Sequence, residues 1–425
     1  MSAPAVLEGI RVIEVAHERS FWAGKLLGDM GADVILVEPP SGSPARSYEP
    51  FAEDEPGPER SLYWWHYNTS KRGVTLDLDD VAGREAFAKL VASSEILIEA
   101  EDPGRMALLG LDYEDLTRHR PDLIMTSITP FGRDNSRREE LSTDLTILAG
   151  GGPVWSCGYD DHSIPPVRGG GNQGYQIACH YAVMSILTAY YHKLVTGEGQ
   201  HIDVSQHAAA NVTTEMASYH WLVQQGTVQR QTGRHAMETP SLPVQTRCMD
   251  GRYVTTGIPP RSGAEFGAVY EWLERLGLVD EFPEAIFLKM GAEREFIDLS
   301  TIGTDDETTA IFGAGREALA LIATRVSAYD YFIGAQEIGM TVGVVYAPEE
   351  VMEDPHFEAR GFPTEVEHEE LGRQVRYPGA PYRFEKSPWR ISRRAPRLGE
   401  HTDEVLGSVG IGAAEVAALR EARVI

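Results

Sequence analysis

Asp144 is the side chain whose type and setting best combine into chemistry. It stands in Leu141-Ser142-Thr143-Asp144-Leu145-Thr146-Ile147-Leu148, which runs into Ala149-Gly150-Gly151-Gly152. A carboxylate kept ionised but poorly solvated there can attack an activated acyl carbon, while amides around the glycines stabilise the oxyanion that forms. The pattern also has a plainer reading, because an Asp after Ser-Thr and before an apolar run is a favoured helix N-cap or turn residue. Taken alone, the local pattern favours the cap.

Other reactive groups find less support in their spacing. The turn Ala16-His17-Glu18-Arg19-Ser20-Phe21 holds no glycine, whereas a dinucleotide fingerprint needs glycines there so that the backbone can approach a pyrophosphate. Arg168-Gly169-Gly170-Gly171-Asn172-Gln173-Gly174 opens a helical pattern but lacks the Lys-Ser/Thr ending of a phosphate loop, so close packing is its expected role. Among the 13 histidines, neither Cys179-His180 nor the pair His201 and His207 has metal-ligand spacing, and no metal is expected. No serine sits in a Gly-x-Ser-x-Gly elbow. One basic feature stands out: the compact turn Asn68-Thr69-Ser70-Lys71-Arg72-Gly73, which can contact phosphate or be a solvated cationic pair. Arg46, Arg105 and Arg168 are further local cations.

The elements that would position these groups alternate. Residues 9–15, 32–38, 74–78, 95–100 and 122–129 read as buried strands, separated by helical patterns near 22–31, 81–93 and 106–118. Such alternation implies a parallel sheet covered on both faces, an α/β fold. Residues 173–194 read as a long, mostly buried helix, followed by a strand at 201–204 and a helix over 206–223. Residues 226–243 read as a linker, and short elements such as 252–256 and 264–276 as a smaller α+β domain. A final helix is expected near 413–422.

Composition narrows the function classes. A formal charge of −26 opposes general affinity for nucleic acid or anionic lipid, so an anionic substrate needs a local basic patch. Three widely separated cysteines suit reduced thiols, and neither a secretory leader nor a membrane span is read, so a cytoplasmic protein is expected.

Several blocks together resemble a known family. Leu7-Glu8-Gly9-Ile10-Arg11-Val12-Ile13-Glu14, Gly31 through Glu38, Asn68 through Leu76, Leu109-Gly110-Leu111-Asp112-Tyr113, Thr196 through Val204 and Ala395 through Leu406 resemble, in order, segments of the class III CoA-transferases. That family includes formyl-CoA and carnitine CoA-transferases and the related α-methylacyl-CoA racemases. The resemblance implies a Rossmann-like large domain built from both chain ends, a smaller α+β domain between them, and an interlocked homodimer. Taken with the pattern, it divides the chain into 1–205 (large domain), 206–243 (helix and linker), 244–335 (small domain) and 336–425 (linker and return). It implies CoA transfer from an acyl-CoA donor to a free carboxylic acid, with CoA as substrate and no permanently bound cofactor.

The resemblance also places site residues. After Ser127-Ile128-Thr129-Pro130-Phe131-Gly132, which looks like a family turn, the family's nucleophilic aspartate falls on Asp144, acting through acyl-aspartyl and aspartyl-CoA intermediates. CoA contacts are expected at Lys71 and Arg72, with Asn68 and Phe131, and more weakly at Arg46 and Arg105. The racemases carry a His-Asp dipeptide and a second aspartate, where this chain has Thr143 before Asp144 and Tyr175. Proton abstraction beside a thioester needs a base, so racemisation ranks below transfer. Departures occur at Arg19-Ser20-Phe21-Trp22, where the family has Ala-Gly-Pro, and at Leu108, where it often has a phosphate-binding arginine. They leave open a non-catalytic partner subunit of a heteromeric enzyme. Trp22, Trp64, Trp65, Trp155, Tyr219 and Trp221 suggest either a bulky acyl group or simple core filling.

Overall fold

The apolar runs of the first half form a six-stranded parallel sheet in the computed structural model, which describes residues 4–255 and 259–425. Its strands are β1 (Arg11–Val15), β2 (Asp33–Glu38), β3 (Lys71–Thr75), β4 (Ile96–Glu99), β5 (Ile124–Thr129) and β6 (Gln200–Ser205). They lie in the order β3-β2-β1-β4-β5-β6, every neighbouring pair parallel. The order reverses between β1 and β4, giving a doubly wound sheet with its crevice at the carboxyl ends of those strands.

Helices around this sheet include α1 (Phe21–Asp29), α2 (Leu62–Tyr67), α3 (Val81–Ala92), α4 (Arg105–Leu108), α5 (Tyr113–Leu116), α6 (Asp144–Gly151), α7 (Gln173–Thr196) and α8 (Gln206–Val212). Alternate strand residues point to opposite faces. Val12, Val34, Ile98 and Ile124 pack against Ala23 and Leu27 of α1 and Ala178, Ala182 and Ile186 of α7. Ile13, Ile35, Leu97 and Met125 pack on the other side against Phe87 and Leu90 of α3 and Val405, Leu406 and Leu419 near the carboxyl terminus. Burial on both faces is why these strands read as nearly continuous apolar runs.

Three sequence readings shift. The third strand starts at Lys71, so Lys71 and Arg72 are strand residues and not part of a turn. The helix expected over 106–118 is two short ones, α4 and α5, interrupted where Gly110 takes φ +67°. The helix expected over 206–223 breaks after α8 into separate short segments at Glu215–Tyr219 and His220–Gln224.

The chain divides into two compact units. The first holds the sheet and comprises residues up to Trp155, Val167–Tyr219 and Met352–Ile425. Its carboxyl-terminal stretch is tied to the sheet edge: Thr75 N–H donates to Thr402 Oγ1 at 3.1 Å, and Asp77 N–H to the Val424 carbonyl at 2.7 Å. The second unit comprises Ser156–Pro166 and His220–Val351. It has its own core, with Phe266, Trp272, Ile311, Ile322 and Tyr331 packed beneath a three-stranded antiparallel sheet made of Gln245–Arg247, Tyr253–Thr255 and Gly343–Val344. Thr256, the expected end of one of these strands, lies outside the described residues. Within 226–243, read as a linker, Gln229–Gln231 and Arg234–Met237 pair as an antiparallel hairpin.

Candidate active site

Thr143, and not Asp144, caps helix α6. The Thr146 N–H donates to Thr143 Oγ1 at 3.5 Å, and the Thr143 N–H donates to Thr146 Oγ1 at 2.8 Å, a reciprocal capping box. Asp144 therefore opens the helix with its side chain free of that duty, and the chain turns it inward, only 6% exposed. Its Oδ1 accepts from the Tyr175 N–H at 3.1 Å, and its Oδ2 from Arg168 Nη1 at 3.0 Å.

Tyr175 is the third residue of α7, a helix whose own N-cap, Asn172, makes no side-chain cap bond. Asp144 thus supplies from α6 an anionic cap for the 24-residue α7, where unpaired amides and the helix dipole favour negative charge. Gly174 makes the approach feasible, since a Cβ there would lie 3.1 Å from Asp144 Oδ1 and 3.1 Å from Ile147 Cγ2. Burial raises the Asp144 carboxyl above its ordinary value, opposed by the Tyr175 and Gly174 amides and by Arg168.

Gly150–Gly152 do not serve as the amide source read from sequence. Gly150 and Gly151 lie in the last turn of α6, at the carbonyl end of the helix and away from Asp144, and Gly152 ends it at φ +110°. A Cβ at Gly150 would lie 2.9 Å from the His207 ring and one at Gly151 2.7 Å from Ala210 Cβ, so their role is close packing on α8. In the other glycine run the expected packing role holds at its ends, where Gly169 lies on the Gln173 side chain and Gly174 on Asp144, but not in its middle. At Gly170 and Gly171 a Cβ would meet nothing within 4 Å, and the loop is open.

Aromatic residues from α2 border the carboxylate. Asn172 Nδ2 donates to the Tyr63 hydroxyl at 2.7 Å, and Gln176 Nε2 to the Tyr67 hydroxyl at 3.0 Å, which ties α2 to the first turns of α7. The Tyr63 and Tyr67 rings lie 4.6 Å apart, Tyr48 is 5.2 Å from Tyr63, and Trp22 stacks on His66 at 5.7 Å. Burial raises Tyr67, with the Asp144 charge adding to it, and pushes Tyr175 up to about 12. Burial lowers His66 to about 4, with Lys25 reinforcing the shift, so it is neutral. Tyr63, Tyr67, Asn172 and Gln176 were not singled out in the sequence. Their alignment on one face of α2 and at the start of α7 was its only available signal. Trp64 and Trp65 are core residues.

The cations expected at CoA phosphates are dispersed. Lys71 is fully buried: its Nζ lies 2.7 Å from Glu14 Oε2 and donates to the Phe21 carbonyl and to Asn68 Oδ1, each at 2.9 Å. Asn68 is equally buried. Arg46 is 2% exposed, donates through Nε and Nη2 to Glu38 at 2.8 Å each, and lies 3.9 Å over the Trp64 ring. None of these three presents a polar group to a phosphate arriving from solvent. Arg72 sits at the amino end of β3, opposite the crevice, paired with Asp33 at 2.7 Å and Glu404 at 2.8 Å. Phe131 has both ring faces taken, by His207 at 4.0 Å and the Arg137 guanidinium at 4.0 Å. Arg105 does border the crevice, a cavity of about 290 Å³ also lined by His17, Glu38, Asp77, Asp79 and Glu101. It pairs with Asp79 at 2.8 Å, and both side chains are partly exposed.

Among the described residues, no group of three or more His, Cys, Asp or Glu is arranged to hold a metal ion, and no helix is long and apolar enough to cross a membrane.

Comparison with known proteins gives this geometry a family. A model of the family described as CoA-transferase family III matches residues 7–275 and 280–402. The chain is 33% identical over 406 residues to the succinyl-CoA:(R)-benzylsuccinate CoA-transferase subunit BbsE of Thauera aromatica, covering 96% of this chain and 95% of that one. It is 29% identical to the succinyl-CoA:mesaconate CoA-transferase of Haloarcula hispanica, covering 96% and 97%. The crystal structure of a CAIB/BAIF family protein from Brucella suis superposes with a TM-score of 0.75 at 25% identity, covering 96% of this chain and all of that one. A match of this extent, by sequence and by fold, makes the chain a member of CoA-transferase family III.

Proposed function

We propose that this enzyme moves CoA from succinyl-CoA to a free carboxylic acid, with Asp144 as covalent nucleophile. The observation that carries the reading is the Asp144 carboxylate itself, buried at the start of α7 and held by one backbone amide and one guanidinium. Succinyl-CoA is the donor in the names of the relatives above. Asp144 attacks the thioester carbonyl, forming a mixed anhydride and releasing CoA thiolate. The thiolate then attacks the Asp144 carbonyl, giving an aspartyl-CoA thioester and free succinate. An acceptor carboxylate displaces the thiolate to form a second anhydride, and thiolate attack on the acceptor's carbonyl yields the new thioester and regenerates the carboxylate.

During attack on Asp144 its Oδ1 carries the developing negative charge. The Tyr175 N–H, 3.1 Å away at the start of α7, is already placed to stabilise it, so the oxyanion donor comes from this helix and not from the glycines at the carboxyl end of α6. The Tyr48, Tyr63 and Tyr67 rings suit an acceptor with an apolar or aromatic body. Arg105 is the proposed phosphate contact, because an exposed pair with Asp79 can exchange partners. Lys71, Asn68 and Arg46 brace the interior in this reading, and Arg72 the sheet edge.

The working assembly is proposed as an interlocked dimer. One observation favours a version with two different chains: with Glu38 held by Arg46, the crevice still carries Asp77, Asp79 and Glu101 against the single Arg105, an unfavourable field for CoA phosphates. Some relatives are named as subunits, BbsE among them. In that version the second chain brings the phosphate site. Native mass spectrometry and CoA exchange, with and without neighbouring gene products, separate the two.

The central test incubates wild type and Asp144→Asn with succinyl-CoA, quenches with hydroxylamine and maps the modified peptide. Modification at Asp144 in wild type alone is expected. Transfer at wild-type rate by Asp144→Asn refutes the nucleophile.

A further inference from the structure

We propose that Arg168 is a catalytic residue that holds whichever carboxylate is free in the reaction: first Asp144, then the displaced or incoming substrate carboxylate while Asp144 is acylated. This rests on Asp144 being the nucleophile. The guanidinium donates through Nη1 to Asp144 Oδ2 at 3.0 Å and to the Gly171 carbonyl at 2.6 Å. Its Nε and Nη2, the edge of the fork that can grip a second carboxylate in bidentate fashion, make no hydrogen bond among the described residues. The side chain is 36% exposed, against 8% for Asp144, so the arginine reaches solvent where the aspartate does not.

Two further observations support the exchange. Arg168 is carried by a loop whose Gly170 and Gly171 face open space, where a Cβ would meet nothing within 4 Å, so the loop has room to move on that side, while Gly169 stays packed on the Gln173 side chain. Moreover, Arg168 is the one cation that pairs with Asp144 among the described residues. The charge balance of the reaction then requires a change of partner. When Asp144 becomes an anhydride or thioester its carbonyl carbon is bonded to oxygen or sulfur and the carboxylate charge is gone. In the aspartyl-CoA state the negative charge that left Asp144 resides on the displaced acid, and then on the acceptor that replaces it. A guanidinium left without an anion at this site loses the pairing it had in the resting enzyme. Turning its free edge to the acid restores that pairing and places the acid's oxygen beside the acylated carbon. When the last thiolate attack frees Asp144, the arginine returns to Oδ2.

The test uses the full-length enzyme, succinyl-CoA and ¹³C-labelled succinate, so donor and acceptor differ only in isotope. Label exchange reads acceptor use, and hydroxylamine trapping reads Asp144 acylation. For Arg168→Gln, the KM for succinate is expected to rise between about 10- and 100-fold, the range for losing a charged hydrogen-bonded pair. Trapped Asp144 adduct should persist, because its onward reaction with succinate is slowed. Arg168→Lys should recover part of the loss, and millimolar guanidinium should partly rescue Arg168→Ala, which a structural role would not predict. An unchanged succinate KM in Arg168→Gln, or equal loss in Arg168→Lys with no rescue, overturns the proposal while leaving Asp144 as nucleophile. Exchange by wild type with no adduct at Asp144 instead refutes the underlying reading. No exchange by wild type, alone or with its neighbouring gene products, rejects the succinyl donor, and this proposal with it.

Discussion

Replacing Lys71 by Met separates its two roles, phosphate ligand or buried counter-ion, by different measurements. Lys71 Nζ and Glu14 Oε2 lie 2.7 Å apart with both side chains wholly buried, and two further acceptors, the Phe21 carbonyl and Asn68 Oδ1, lie 2.9 Å from the ammonium. Removing one member of such a pair leaves an uncompensated buried charge and costs about 3–5 kcal/mol. Glu14 limits that cost by taking a proton, since burial already pushes its carboxyl up and Lys71, followed by the Ser20 hydroxyl, opposes the shift. With Lys71 gone, the folded-state pKa of Glu14 stands further above its unfolded value. Its contribution is then fully present below the unfolded pKa and lost as pH rises through the folded one. The Lys71→Met protein should therefore fall further behind wild type as pH rises above the ordinary glutamate value of 4.5. Urea unfolding, with hydrogen exchange on peptides from β1 and β3, measures this locally. Adding Glu14→Gln should recover most of the loss. A deficit under about 1 kcal/mol, the size of an exposed pair, or a raised KM for succinyl-CoA at unchanged stability, would refute the counter-ion reasoning and restore the phosphate reading.

Three further outcomes follow from the site. Gly174→Ala puts a Cβ 3.1 Å from Asp144 Oδ1, so kcat should fall about 10- to 100-fold by misplacement while the melting temperature holds or rises; a normal kcat refutes the tight fit. Because burial raises the Asp144 carboxyl and the ionised form is the nucleophile, kcat/KM should fall on the acid side with a midpoint above the ordinary aspartate value; Arg168→Gln removes an opposing cause and should move the midpoint higher. A pH–rate profile in which Arg168→Gln moves the midpoint down contradicts this. Arg105→Ala should raise KM for succinyl-CoA about 3- to 10-fold, as expected for one partly exposed phosphate contact, and leave a succinyl-pantetheine donor unaffected; equal effects on both donors would remove Arg105 from phosphate binding.

The sheet was legible because its strands are buried on both faces, and a run such as Asp33–Glu38 has few other solutions. The cations were not, because a sequence shows charge without showing what compensates it. Lys71 looks like a surface turn until Glu14, 57 positions earlier, is brought against it across two strands, and Arg46 looks free until Glu38 and the Trp64 ring enclose it. In a chain of net charge −26, a cation readily finds a carboxylate. The glycine runs misled for a related reason. Glycine marks close approach, an open loop or a left-handed turn equally well, and only the neighbouring elements decide which. Beside α8 the run after Asp144 means packing, and before α7 Gly170 and Gly171 face open space while Gly169 packs on Gln173.

The opposition between helix cap and nucleophile at Asp144 dissolves once the helix being capped is identified. The residue does not cap its own helix, a task Thr143 performs; it caps α7. Capping across elements places the carboxylate under two constraints that a reactive aspartate needs. The amide end of a long helix favours the ionised form against the burial that would otherwise neutralise it, and the Tyr175 N–H fixes Oδ1 in direction. Arg168 contributes charge from a partly exposed side chain, so the other oxygen is held by a partner that can leave. One oxygen anchored by a rigid element and the other by a movable one is an asymmetry suited to a nucleophile: Oδ1 stays on its donor and receives the oxyanion charge, while Oδ2 is released to attack. A cap residue satisfied by backbone at both oxygens would lack that second property. The feature to seek in sequence is therefore an aspartate opening a short helix behind a Thr-x-x-Thr box, followed by an arginine on a glycine loop ahead of a long helix without a capping side chain of its own.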